Sequence, residues 1–167
     1  MNPDSFPDKN CILQIYKTIK KKDSGMVVPI TIRENRKETC DYGGFFGEKI
    51  FDKKNDENLL KVDRVNGNLF IIKTNFFKQI GKFDEKIFLN FDESDLQKRI
   101  NNNNKDILID YNAKSLHLEG KSADPKIQYQ LKCEAAWHFS WSQFYFYKKH
   151  YGFKKAFKIG VLSSIKN

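Results

Sequence analysis

Phe83-Asp84-Glu85-Lys86-Ile87-Phe88-Leu89-Asn90-Phe91-Asp92-Glu93-Ser94-Asp95-Leu96-Gln97-Lys98-Arg99 interleaves acids with aromatics, and the rest of the chain is organised around it. Phe83, Ile87, Phe88, Phe91 and Leu96 are the expected core anchors. Asp92, Glu93 and Asp95 then fall where a helix begins. Carboxylates are favoured there, because the first backbone N–H groups of a helix lack partners and carry partial positive charge. Taken alone, the pattern describes a capped helix, with Asp92 at the cap and Asp95 paired to Arg99 one turn on.

Outward from this stretch, the 167 residues suit one domain with a real core. Hydrophobic residues make up 40% and include 15 Phe, which excludes a disordered chain. The formal charge of +9 is scattered and mostly lysine. It fits an anionic partner (nucleic acid, a membrane surface or a nucleotide-linked substrate) or simply well-solvated faces. The clustered stripe of a nucleic-acid site is missing, and the acid cluster would repel phosphates, so no nucleic acid is expected. Cys11, Cys40 and Cys133 are odd in number and widely spaced. Neither a zinc site nor a disulfide framework is expected, and a reducing cytoplasm is the simplest compartment. The polar start, with Pro3 and Pro7, does not resemble a signal peptide, and no apolar run is long enough to span a bilayer.

Along the chain, Ile12, Leu13, Ile15, Tyr16 and Ile19 have helical spacing, with Pro7 or Asp8 as the start. Met26 to Ile30 reads as a short buried strand closed by Pro29. Residues 31–60 read as a surface loop or irregular hairpin around Tyr42-Gly43-Gly44-Phe45-Phe46-Gly47. Val62 to Val65 and Leu69 to Ile72 are strand-like, and Thr74 caps a short helix closed by Gly81. Asp106 to Tyr111 is the next strand, and Ser115 to Leu118 a further short one. Asp124-Pro125 starts a helix that runs to Lys149 or His150. It carries Trp137, Phe139, Trp141, Phe144, Tyr145, Phe146 and Tyr147, and Gly152 separates it from a second, basic helical segment.

Three polar points stand out: Asn2-Pro3-Asp4, the Asp92/Glu93/Asp95 cluster, and His117. In this order, the chain resembles the second half of a family 2 glycosyltransferase of the rhamnosyltransferase-like type. The core of the resemblance is Gly67, a strand, Phe77, Ile80-Gly81, Phe83-Asp84-Glu85, Phe88, Asp92-Glu93-Ser94-Asp95-Leu96 and Arg99. The strand at 106–111, Ala113, His117 and Ser122 continue it, and Asn2-Pro3-Asp4 is similar to the family's Asp-x-Asp site.

The resemblance implies an α/β protein: a partial GT-A (Rossmann-like) fold in residues 1–124, with an aromatic-rich helical tail at 125–167 packed on it or at a membrane surface. It implies an inverting transferase that moves sugar from a nucleotide-sugar donor to a glycan or lipid-linked acceptor in cell-surface polysaccharide synthesis. Magnesium or manganese would bridge the donor diphosphate, with Asp4 and His117 as metal ligands and Asn2 and Asp4 on the cofactor side. Gly67, Asn68, Asp92 and Trp141 would face the acceptor. The general base would come from Glu93, Asp92 or Asp95, with Glu93 on the family's base position. A base at Glu93 stands one methylene longer than the family's usual aspartate.

The strands that precede the Asp-x-Asp site in a complete GT-A enzyme are not in these 167 residues. The expectation is therefore a fragment or half-protein with little transferase activity by itself. Its open sheet edge would pair with an N-terminal partner half or with a second copy. The expected place is the cytoplasm, peripheral at the inner face of the membrane. The alternatives are a catalytically inactive remnant and a basic module for anionic membrane or nucleic acid, using lysines and tail aromatics.

Overall fold

The computed structural model describes residues 1–33, 38–39, 42–43, 58–118 and 128–165. The described elements are β1 (Ser5–Pro7), α1 (Cys11–Lys21), β2 (Ser24–Arg33), β3 (Glu38–Thr39), β4 (Tyr42–Gly43), β5 (Leu59–Val62), β6 (Arg64–Val65), α2 (Thr74–Gln79), α3 (Asp92–Asn102), β7 (Asp106–His117), α4 (Gln128–Tyr151) and α5 (Phe153–Ile165). They form two compact units, Met1–Lys82 with Gln97–Ser122, and Phe83–Leu96 with Ala123–Asn167. The 1–124 and 125–167 expectation differs in leaving 83–96 with the sheet.

In the first unit β7 is the spine. On one side it runs parallel to β2 along nearly its whole length. On the other it takes two short antiparallel neighbours in tandem, β5 beside its first half and β1 beside its second. Where a strand is covered on both faces of its sheet, successive residues should be apolar. Met26, Val27, Val28 and Ile30 of β2, and Ile107 and Ile109 of β7, are accordingly buried. The helix α1 lays Cys11, Ile15 and Ile19 on this sheet, against Val27, Leu59, Leu69, Leu108 and Ala113. Its register is narrower than the apolar spacing suggests, since Ile12, Leu13 and Tyr16 remain exposed.

Pro29 lies inside β2 and does not close it. Lacking an N–H, proline cannot serve a continuous ladder. The ladder answers with a bulge: Pro29 faces Asp110, but Ile30 faces Lys114. Asn112 N–H turns back to Asp110 Oδ1 at 2.9 Å, while Thr18 Oγ1 and Gln14 Nε2 donate to Asp110 Oδ2 at 2.5 and 3.1 Å. A fully buried carboxylate is thus satisfied by three donors, and it stitches α1 to the bulge. The bulge also lets 106–111 and 115–117 be one strand where two were expected.

Other expectations shift. The strand at Leu69–Ile72 reduces to one antiparallel bridge, Ile71 to Val27. The N-cap of α2 is Lys73, not Thr74, and Gly81 closes that end with φ +92°. The helix α1 starts at Cys11, well after Pro7, which lies in β1. The Asp124-Pro125 helix start, Gly44 to Gly47, Cys40 and Ser122 lie outside the described residues.

In the second unit, α4 and α5 form a helical hairpin turned at Gly152, whose φ of +86° suits glycine. Phe146, Ser142 and Ala156 are buried in it. The segment 83–96 holds to α4 through Ser142 Oγ, which donates to the Leu89 carbonyl at 2.8 Å. Of the expected anchors, Ile87 and Leu96 are buried, whereas Phe83 and Phe88 are exposed. Among the described residues no helix is long and apolar enough to cross a membrane.

Candidate functional site

Two polar centres are described, one in each unit. In the first unit, chain pairing brings the Asn2-Pro3-Asp4 turn beside the end of β7. Ser5 faces His117 in the β1–β7 ladder, and Leu118 N–H donates to the Asp4 carbonyl at 3.1 Å. This register sets His117 Nε2 3.2 Å from Asp4 Oδ1, with both side chains only 12% exposed. Asn68 closes the turn: its carbonyl accepts Asn2 N–H at 2.8 Å and Ser5 Oγ at 3.4 Å. Its Oδ1 accepts Thr31 Oγ1 at 3.3 Å. The Asn68 Nδ2 amide is buried with no partner among the described residues, an unusual state for a donor. Gly67 is buried next to it. Asn2, Asp4, His117 and Asn68 thus share one pole of the sheet.

One carboxylate oxygen and one imidazole nitrogen converge here at hydrogen-bonding distance, both largely shielded from solvent. They are donors of the kind a divalent cation takes, and among the described residues no group of three His, Cys, Asp or Glu side chains gathers that could hold one by itself.

In the second unit, α3 begins at Asp92, and Asp95 N–H donates to the Phe91 carbonyl at 2.8 Å. The cap position is therefore Phe91, with Asp92 the first helical residue. Asn90 and Phe91 both have positive φ, 62° and 61°. Two successive left-handed residues without glycine are costly, so the surroundings must hold them. Phe91 is held by rings: Phe139, Phe146 and Tyr147 stand at centroid distances of 5.3, 5.5 and 6.1 Å.

Asp92 and Glu93 are half-buried here, while Asp95 is fully buried. Asp95 Oδ1 meets Lys149 Nζ and His150 Nε2, each at 2.7 Å. Arg99, the expected partner of Asp95, donates from Nη1 to the Ile80 carbonyl. Lys149 also reaches Asp84 Oδ2 at 2.7 Å, and Tyr145 Oη donates to that oxygen at 3.1 Å. Burial works to raise the Asp84 pKa. The hydrogen bonds from Lys149, Lys86 N–H and Tyr145 outweigh it and hold the carboxyl below its ordinary value. Burial likewise works to lower Lys149, and bonds to Asp84 and Asp95 outweigh it, so the ammonium is held above its ordinary range. Trp141 is nearly half exposed on α4, in a groove with Ala136, Trp137, Ser140 and Phe144.

Lys149, His150 and Tyr145 are absent from the sequence-based expectation. The signal was a lysine and a histidine at the end of an aromatic helix, where a shielded cation needs a carboxylate. Asp110 was legible in the same way, as one charge closing the run Ile107-Leu108-Ile109.

No protein family matches the chain, and no curated protein matches it either. Among solved structures the architecture matches the GT-A-like glycosyltransferase fold, as a partial α/β copy of it. One such structure is described as the crystal structure of GalNAc-T7 with UDP, GalNAc and Mn2+. The match has a TM-score of 0.54 at 14% identity, and it covers 86% of this chain and 32% of that one. The chain therefore spans about a third of the length of that solved structure.

Proposed function

We propose that the chain is the acceptor-side part of a nucleotide-sugar-dependent glycosyltransferase, of the family 2, rhamnosyltransferase-like kind. The observation that carries this is the Asp4–His117 pair at 3.2 Å, in a sheet of GT-A type. Support for a diphosphate ligand comes from the neighbouring structure, which holds UDP and Mn2+. Asp4 and His117 would hold magnesium or manganese, and the ion would neutralise charge on the departing nucleoside diphosphate. Asn68, with its unpartnered amide, would donate a hydrogen bond on the same side.

Glu93 is proposed as the general base, taking the proton from the acceptor hydroxyl. Asp95 is spoken for by Lys149 and His150, and so serves as a positioning residue. Asp92, Gly67 and Trp141 are kept as acceptor-side residues. A single displacement at the anomeric carbon would invert its configuration. The acceptor would be a glycan or lipid-linked glycan of the cell surface, met at the cytoplasmic face of the membrane. Pairing with an N-terminal partner half or a second copy belongs to the same proposal.

Manganese titration followed by electron paramagnetic resonance tests the donor side. The chain should bind Mn2+, more tightly with UDP or GDP present. Asp4→Asn and His117→Ala should each weaken binding by roughly tenfold or more. No Mn2+ binding, or binding indifferent to both changes, would remove the proposal.

A further inference from the structure

The α4–α5 hairpin carries an aromatic face that continues across both helices. Trp137, Trp141, Phe144 and Lys148 follow at intervals of four, three and four residues, which is one stripe of a helix. Trp137, Trp141 and Phe144 line one groove, floored by Ala136 and Ser140. Phe144 meets Phe153 of α5 edge-on at 6.1 Å, and Phe153 stacks on Phe157 at 6.1 Å. The four outer rings are bare: Trp137 is 65% exposed, Trp141 47%, Phe153 60% and Phe157 58%. Lys154 and Lys158 follow Phe153 and Phe157 by one residue each, so a basic row borders the aromatic one. From Lys148 to Lys158 five lysines occur and no acid.

We propose that this face seats on an anionic lipid bilayer. The rings would enter the headgroup boundary, and Lys148, Lys154 and Lys158 would lie among the phosphates. Tryptophan and phenylalanine beside lysine suit that interface, where one end of the site is apolar and the other wet and negative. No described helix can span the bilayer, so the hairpin lies along it. The proposal rests on this face alone and stands apart from the transferase assignment.

The chain's two tryptophans are both on this face, so intrinsic fluorescence reads it directly. Vesicles of mixed phosphatidylglycerol and phosphatidylcholine should shift the emission to the blue, and bromine-labelled acyl chains should quench it. Salt should weaken the effect. Lys154→Gln with Lys158→Gln should lower partitioning roughly thirtyfold, and Phe153→Ser with Phe157→Ser should lower it too, with helix content by circular dichroism unchanged. These substitutions fall at exposed positions, so the fold should survive them. An unchanged spectrum with anionic vesicles would overturn the proposal. So would equal binding to pure phosphatidylcholine, or a response to single-stranded oligonucleotide with none to vesicles.

Discussion

Lys149 Nζ lies 2.7 Å from the Asp95 carboxylate, and that carboxylate has no solvent exposure. The same ammonium reaches Asp84, so one cation fastens both ends of the acidic stretch to α4. Removing it would take the ammonium from the buried Asp95 carboxylate and leave His150 in place. Lys149→Met should cost about 1–2 kcal/mol in urea denaturation, since His150 still meets Asp95 and the lysine is partly exposed. Adding Asp95→Asn should cost less than the two single changes summed, because the charge that Lys149 offset goes with it.

The same centre sets a pH window. Asp84 has a depressed pKa in the fold, so its contribution is present above the ordinary carboxylate value of 3.8 and fades as pH falls through the lower folded value. Lys149 has a raised pKa, so its contribution is whole below 10.5 and fades as pH rises through the higher folded value. Tyr145, raised by burial and by Asp84, acts in the same alkaline direction from 10.0. Denaturation midpoints should be flat between these limits and drop beyond both. Lys149→Met should flatten the alkaline limb.

Glu93 and Asp95 should separate in a transfer assay on the assembled enzyme. As the proposed base, Glu93→Gln should lower kcat by about 10²- to 10⁴-fold with little change in stability. Asp95→Asn should lower the denaturation midpoint as well. Equal stability loss in both would place Glu93 among the structural acids.

Gly25 is a packing requirement. A methyl group there would come within 2.5 Å of Ile100 Cγ2 and 3.0 Å of both Lys105 Cβ and Phe76 Cε1. Ile100 is fully buried and cannot step aside. Gly25→Ala should destabilise by about 2 kcal/mol, read from thermal or urea unfolding.

Cys11 and Cys133 should differ in reactivity. Burial, then Asp8 and Asp110, push the Cys11 thiol up to about 11, whereas Cys133 is exposed. At mildly alkaline pH, iodoacetamide should label Cys133 well before Cys11 in the folded protein, as peptide mapping would record. Labelling at equal rates would show that the α1 face opens readily.

Local chemistry made much of this legible. The helix from Asp92, the turn at Gly81 and the break at Gly152 each follow from residues with few alternatives, since unpaired N–H groups and positive φ select for them. Pro29 misled, because a bulge in the partner strand let β2 run through it. Asp95 shows another limit. Its spacing to Arg99 suits a helix pair, and nothing in that spacing announces Lys149 and His150, more than fifty residues on, which meet its buried carboxylate. Periodicity reports neighbours on one element. It carries no information on which distant cation a buried acid will meet. The Asp4–His117 pair was reachable only through the resemblance, since the β1–β7 register that joins them is a long-range event.

That register also governs timing on the ribosome. Ser5 leaves the exit tunnel well before its ladder partner, His117, with β2 and β5 made in between. Until then β5 and β1 lack the strand they pair with, and β2 has only the short β3 beside its far end. Long-range pairing of this kind is slow and leaves apolar strands uncovered while translation proceeds. Nascent chains halted before Asp106 should therefore be protease-sensitive and bound by chaperones, and protection should arrive abruptly once β7 is out.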